Sequence, residues 1–291
     1  MMSAELRARF TVALVGVPVA LLAIHAGGWY FGGLLAVLAG VAALEFQALA
    51  AAAGGRPIGW LGIPAASILV LLAAYEPTFG AWADRALGLL LALVLAALVV
   101  AVSRRSTADA PLLSVTATVA GALYTGGTLA FAVMLRHLPD SVAADSHDPL
   151  EGRLLVLYPL VVIWASDTAA YFAGKRFGRT GMAPRVSPGK TVEGGVAGLA
   201  AAVAAGSLAG LVMRDLDSFP VSPAIGALVG LALGVVGQLG DLAESLLKRE
   251  AGVKDSGTLL PGHGGVLDRF DALFFSLPLA YVLLLLTRSV G

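Results

Sequence analysis

The chain contains no cysteine, so disulfide bonds, thiolate nucleophiles and cysteine-ligated metals are excluded at once. Histidine is nearly as scarce: there are four, at positions 25, 137, 147 and 263, too scattered for a histidine-rich metal site. Charge is scarce as well. Only 13% of the 291 residues are Asp, Glu, Lys or Arg, against about 25% in an ordinary soluble domain. The 19 basic and 19 acidic residues cancel, so no net field points to a nucleic-acid partner, and none is expected. No segment is long or polar enough to form a separate soluble domain, and no internal repeat is discernible.

What is abundant is apolar. Hydrophobic residues make up 58% of the chain, mean hydropathy is +0.87, and the apolar residues come in long runs. Runs of about 18 or more are long enough to cross the hydrocarbon core as helices. Nine spans are expected, near 10–27, 29–53, 58–75, 81–102, 114–135, 154–174, 193–213, 222–247 and 271–288. Turn-forming stretches such as Gly54-Gly55-Arg56-Pro57 and Ser218-Phe219-Pro220 separate them. The fold class that follows is all-α, a polytopic integral membrane protein forming one membrane domain over 1–291. Within it, 1–153 is motif-poor and 154–291 carries the chemistry-bearing residues. Arg7 and Arg9 precede the first span as they would in a signal peptide. The stretch His25-Ala26-Gly27-Gly28-Trp29, however, offers no small-x-small cleavage site, and a retained helix is expected.

Orientation follows from where the basic residues fall. With the N-terminus in the cytoplasm and nine alternating spans, 14 of the 19 Lys and Arg residues lie on the cytoplasmic side. Only Arg85, Arg136, Arg153, Arg214 and Arg288 lie opposite, and the outer loop near 136–153 is acidic instead. A miscount of one span would mix the two sets. A bacterial inner-membrane protein with a cytoplasmic N-terminus is therefore expected.

Charges inside a membrane helix cost about 2.5–3.5 kcal/mol each on insertion scales. The eighth span nonetheless carries Gln238, Asp241, Glu244, Ser245 and Lys248 at spacings of three or four, one face of a helix. Gly226, Gly230 and Gly234 on the same helix would admit a close neighbour. After it come Arg249, Lys254, Asp255 and the glycine-rich stretch around His263, then Asp268, Arg269 and Asp271 at the start of the ninth span. Asp268 and Asp271 suit a helix N-terminus as caps. Asp241 and Asp268 also suit a hard divalent cation, Mg²⁺ above all, with Lys248, Arg249, Lys254 and Arg269 beside it for a polyphosphate.

A second group lies at the cytoplasmic end of the sixth span. Asp167 and Tyr171 are one helical turn apart, followed by Lys175 and Arg176 and by a loop reading Ser187-Pro188-Gly189-Lys190-Thr191-Val192-Glu193-Gly194. Its Gly-Lys-Thr lacks the earlier glycine of a phosphate-binding P-loop, position 184 is proline, and no strand is expected before it. A Walker-type site is rejected. Lys175, Arg176 and Arg179 read as positive-inside residues facing anionic lipid; Lys190 and Ser187 read as phosphate contacts.

The stretch from Ser245 to Asp271, SLLKREAGVKDSGTLLPGHGGVLDRFD, resembles without a gap the signature of the phosphatidate cytidylyltransferases, or CDP-diglyceride synthases. Asp167 to Gly174, Ser187 to Gly194 and Gly240 to Ser245 resemble three further motifs of that family, in order. Position 189 is glycine where many members have lysine, which removes one phosphate contact. The resemblance implies a membrane enzyme of about nine spans with a cytoplasm-facing polar cavity, a metal centre with Mg²⁺ and room left open for a second cation, and a homodimer as one assembly. Its substrates would be CTP and phosphatidic acid among the membrane lipids, its products CDP-diacylglycerol and pyrophosphate. Asp241, Asp268 and Asp271 are then the expected metal residues. Lys190, Lys248, Arg249, Lys254, Asp255, His263 and Arg269 are the expected catalytic residues. Asp167, Tyr171, Ser187, Thr191, Glu193, Glu244 and Ser245 are expected to bind substrate. His263 is expected to hold substrate or loop rather than act as a base, because a phosphate monoester is already anionic at neutral pH.

Two other readings compete. Intramembrane Asp167, Asp241 and Glu244 would also suit the ion path of a transporter. A transferase acting on an isoprenoid rather than a diacyl lipid phosphate would need the same residue types. The CDP-alcohol phosphotransferases are set aside, because no Asp-Gly is followed closely by Ala-Arg.

Overall fold

The structure, a computed structural model, describes residues 4–139, 149–216, 221–259 and 264–290, with side chains for 14–139, 150–216, 221–259 and 264–287. It is helical almost throughout. In chain order the helices are α1 (Ala4–Ala26), α2 (Gly28–Ala52), α3 (Gly59–Tyr75), α4 (Phe79–Arg104), α5 (Pro111–Ala122), α6 (Thr128–Arg136), α7 (Pro149–Phe177), α8 (Val192–Asp215), α9 (Pro223–Glu250) and α10 (Leu267–Val290). A π-helical turn, Leu123–Gly127, joins α5 to α6. Each expected span coincides with a helix to within a few residues, the fifth being α5, the π turn and α6 together. Proline stands first in α5, α7 and α9, where the missing N–H is one the helix does not use.

Among the described residues, seven helical segments are long and apolar enough to cross a membrane: Gly28–Ala52, Phe79–Arg104, Thr107–Arg136, Leu150–Phe177, Val192–Asp215, Pro223–Glu250 and Leu267–Thr287. Leu14–Ala26 and Gly59–Tyr75 are shorter apolar helices at the places of the expected first and third spans. The protein is an integral membrane protein. Its many exposed leucines, valines and aromatics, Leu91, Leu95 and Val99 along α4 for example, match a surface solvated by lipid rather than water.

Two departures from the expected all-α pattern are local. Gly181–Ala183 (β1) and Ser187–Thr191 (β2) form a small antiparallel hairpin, Gly181 opposite Thr191 and Ala183 opposite Ser187. A strand therefore does precede Gly189-Lys190-Thr191, contrary to the sequence expectation. The tripeptide lies in the extended second strand, whose last residue abuts the next helix, and with proline at position 184 where the motif needs glycine the P-loop remains excluded on spacing. The second departure is the π turn, where Gly126 lies so close to the Ala66 backbone that a Cβ would collide with it.

The chain divides into two compact units, one of Met1–Met134 with Leu247–Phe270, the other of Leu135–Leu246 with Asp271–Gly291. In the first, α2 and α3 pack around Leu35, Ala39, Ala43, Ala66, Leu69 and Val70, all buried. Buried polar bonds pin the interhelical loops: Ile58 N–H donates to Thr118 Oγ1 at 2.8 Å and Trp82 Nε1–H to the Leu69 carbonyl at 2.9 Å. In the second, α8 and α9 touch backbone to backbone. Gly206 faces Gly226, and Gly230 and Gly234 face Ala202, so the expected close neighbour of the glycine row is α8. Tyr158 of α7 donates its hydroxyl to the Gly226 carbonyl at 2.6 Å across that seam.

Candidate active site

Within the first unit, the polar residues gather where α9 ends and α10 begins. Helix α9 stops at Gly252, whose φ of +71 is a left-handed conformation that glycine adopts without cost. The Gly252 N–H returns to the Arg249 carbonyl at 3.1 Å and the Val253 N–H to the Lys248 carbonyl at 2.9 Å, a Schellman closure. Lys248 and Arg249 thus belong to the last helical turn, where cations offset the helix dipole. The Lys248 ammonium reaches Asp268 Oδ1 at 2.6 Å, the two side chains being 11% and 4% exposed. Asp268 Oδ2 accepts from Ser256 N–H at 2.8 Å, Ser256 Oγ–H at 2.9 Å and Gly265 N–H at 2.8 Å.

The start of α10 is capped by a residue from the motif-poor half. Glu45, on α2 and 6% exposed, accepts from Val266 N–H at 3.1 Å and Leu267 N–H at 2.7 Å. Its Oε2 also lies 3.2 Å from Ser256 Oγ. Caps were expected from Asp268 and Asp271. Asp268 accepts from the Gly265 N–H, which precedes the helix, and Asp271 Oδ1 accepts from the adjacent Ala272 N–H at 2.7 Å. Nothing in a single sequence marks Glu45 for this role except that it is the one charged residue of Gly28–Ala52. Lys254, Asp255 and Arg269 are exposed, and Arg249 Nη1 donates to the Val253 carbonyl at 3.1 Å. His263 lies outside the described residues.

Within the second unit, the hairpin carries Lys190 to α9. Its ammonium sits 2.5 Å from Asp241 Oδ2, with the side chains 26% and 34% exposed, and Ser245 Oγ is 3.5 Å from Asp241 Oδ1. Asp167 on α7 interacts electrostatically with both Asp241 and Lys190. Two residues expected to bind substrate build this corner. Thr191 caps α8, its Oγ1 accepting from Gly194 N–H at 3.1 Å. The Glu193 carboxylate accepts from Arg179 N–H at 3.1 Å and Thr180 N–H at 3.2 Å, tying the hairpin to the helix. Gln238 donates to the Gly195 carbonyl at 3.0 Å and holds α8 against α9. Ser187 starts β2 half-buried, Glu244 is fully buried and Ser245 nearly so. Tyr171 is exposed, its ring against Phe172 with the Lys175 ammonium 5.9 Å from the ring centre.

Among the described residues, no three His, Asp or Glu side chains gather as a protein-only metal cage. Mg²⁺ is commonly held by one or two carboxylates, with waters and substrate phosphates completing its shell. Asp241 fits that use: it is partly exposed and has one ammonium and one distant hydroxyl at its oxygens. Asp268 fits it less freely, since four donors already occupy its carboxylate and a cation at Oδ1 would take the place of Lys248.

These features define a helical membrane protein in which two lysine ammoniums are held on aspartates, Lys190 on Asp241 and Lys248 on Asp268. A family model described as the cytidylyltransferase family matches residues 7–287. A phosphatidate cytidylyltransferase of Synechocystis sp. is 33% identical over 299 aligned positions, covering 97% of each chain. Those of Bacillus subtilis and Haemophilus influenzae are 47% identical over 135 and 43% over 143 residues, about half of each chain (46% of this one in both alignments). The chain belongs to the cytidylyltransferase family.

Proposed function

We propose that the protein transfers a cytidylyl group from CTP to phosphatidic acid, giving CDP-diacylglycerol and pyrophosphate. The observation that carries this reading is the end-to-end match to a phosphatidate cytidylyltransferase; the two lysine–aspartate pairs support it. In the reaction an oxygen of the lipid phosphate forms a bond to the α-phosphorus of CTP. The bond from that phosphorus to the bridging oxygen of the β-phosphate breaks, and pyrophosphate leaves with its electron pair. No protein nucleophile is needed. The work is alignment and neutralisation of charge.

Lys190 is the proposed phosphate ligand of the second unit: Asp241 holds its ammonium, within electrostatic reach of Asp167. Lys248 does the same service in the first unit, oriented by Asp268. Arg249, Lys254 and Arg269 supply positive charge around it, and Ser245 and Ser187 supply hydroxyls. Mg²⁺ is the proposed cofactor, with Asp241 as its first carboxylate and Asp268 and Asp271 following in the chain. Bound, it would neutralise developing charge on the phosphates. The arrangement proposed for the whole chain is nine spans, a polar cavity open to the cytoplasm and residence in the inner membrane, supported by the distribution of basic residues. Purified protein in detergent should release pyrophosphate and form CDP-diacylglycerol only when CTP, Mg²⁺ and phosphatidic acid are all present. Equal turnover of a polyprenyl phosphate, or none with phosphatidic acid, would refute the assignment of substrate.

A further inference from the structure

Glu45 belongs to none of the motifs singled out in the sequence, and a carboxylate amid the alanines and leucines of α2 is costly to bury. Among the described residues its oxygens meet two backbone N–H groups at the start of α10 and the Ser256 hydroxyl, and no basic side chain. The backbone donors explain why the group is a carboxylate. The first N–H groups of a helix have no partner within it and carry the positive end of its dipole, so an acceptor-only, negatively charged group suits them. Glutamine would keep one acceptor oxygen and turn an NH₂ toward an N–H.

The described residues on either side of 260–263 are moulded on this side chain. A Cβ at Gly257 or Gly265 would collide with the Glu45 carboxylate, and one at Gly264 with Asp268. Gly257, Gly264 and Gly265 thus leave room for two carboxylates. Ser256 joins them, its single hydroxyl lying 3.2 Å from Glu45 Oε2 and 2.9 Å from Asp268 Oδ2. Asp268 in turn holds Lys248. A continuous path of short contacts runs from α2 to the lysine.

We propose that Glu45 is a positioning residue for the transfer reaction. It touches no substrate; it fixes Ser256 and the backbone of Val266 and Leu267 and so sets where Asp268 holds the Lys248 ammonium. The inference rests on the function proposed above. Second-layer partners of this kind typically cost about 10–100-fold in activity when removed, and that range is expected for Glu45→Gln. The loss should fall on kcat, with KM for CTP changing little. Ser256→Ala, which removes only the joining hydroxyl, should lower kcat by a smaller factor.

The test uses the full chain in detergent with two readouts. Steady-state rates with CTP and phosphatidic acid give kcat and KM, and hydrogen–deuterium exchange reads the amides of 264–270 against those of α8. In Glu45→Gln the amides of Val266 and Leu267 should exchange faster, those of α8 should not, and kcat should fall. A wild-type kcat in that variant overturns the proposal, and so does a lost kcat with unchanged exchange at 266 and 267. Should Glu45→Gln not fold, Ser256→Ala decides, and a wild-type kcat there overturns it. An inactive wild-type protein would sink the proposed function instead, while the exchange arm still reports whether Glu45 holds the segment.

Discussion

Replacing Lys190 by alanine removes an ammonium 2.5 Å from Asp241 and leaves the carboxylate facing Asp167 without its counter-charge. The pair is about a quarter to a third exposed, so its contribution to stability should be at most about 1 kcal/mol, as for other solvated ion pairs. Its contribution to turnover should be larger. A preorganised donor directed at a phosphate is worth about 2–4 kcal/mol in the transition state, which is a fall of about thirty- to thousandfold in kcat/KM. Arg179 is the control, because it lies in the same hairpin corner and counts equally toward topology. Only its backbone N–H is used, by Glu193, and alanine keeps that bond. Arg179→Ala should therefore stay within about fivefold, the scale of a surface charge near anionic lipid. Both variants would be assayed for pyrophosphate release in one detergent at one ionic strength, with Asp241→Asn and the Lys190→Ala/Asp241→Asn double variant completing a cycle. Because the two side chains touch, the losses should not add. Equal effects of Lys190→Ala and Arg179→Ala would reduce Lys190 to a topology marker and refute the argument.

Asp241→Asn alone should abolish most turnover yet shift the thermal midpoint in detergent by only a few degrees, since its ion pair with Lys190 is partly solvated; near-normal activity at low Mg²⁺ would remove Asp241 from the metal proposal. Lys248→Met removes the ammonium that lies 2.6 Å from the 4%-exposed Asp268 side chain, so it should cost about 2–4 kcal/mol of stability, the scale of breaking a buried pair, and Asp268→Asn in the same chain should recover part of that loss in a melting assay. Gly206→Ala forces a methyl group into the Gly226 backbone and should destabilise by about 1–3 kcal/mol; an unchanged melting point would mean that α8 and α9 separate easily. A cysteine at Ser106 should be shielded from an impermeant thiol reagent in intact cells and one at Thr78 labelled, and the reverse pattern would invert the topology.

Much of the helical layout was legible because it is local. Whether a run of apolar residues is long enough to cross hydrocarbon depends on the run itself, and the prolines opening α5, α7 and α9 act on their own backbone. The same holds for the glycine row of α9: spacing alone announced a close neighbour, though not that α8 would be the one. Composition likewise excluded thiol chemistry, and motif order pointed to the family. The hairpin at 181–191 was missed because three- and five-residue strands leave no periodic signal in a loop rich in proline and glycine. Side-chain pairing was beyond sequence for a different reason. Lys190 is 51 positions from Asp241, and Glu45 is more than 200 from the backbone donors it caps. No spacing rule reaches across such distances; only the packing of helices brings those groups together. Sequence by itself determined a membrane protein of this family and which residue types could handle phosphate. Tertiary structure decided which lysine each aspartate holds, and that a buried glutamate from an otherwise featureless helix holds the start of α10, because buried charges take partners by proximity in space, not along the chain.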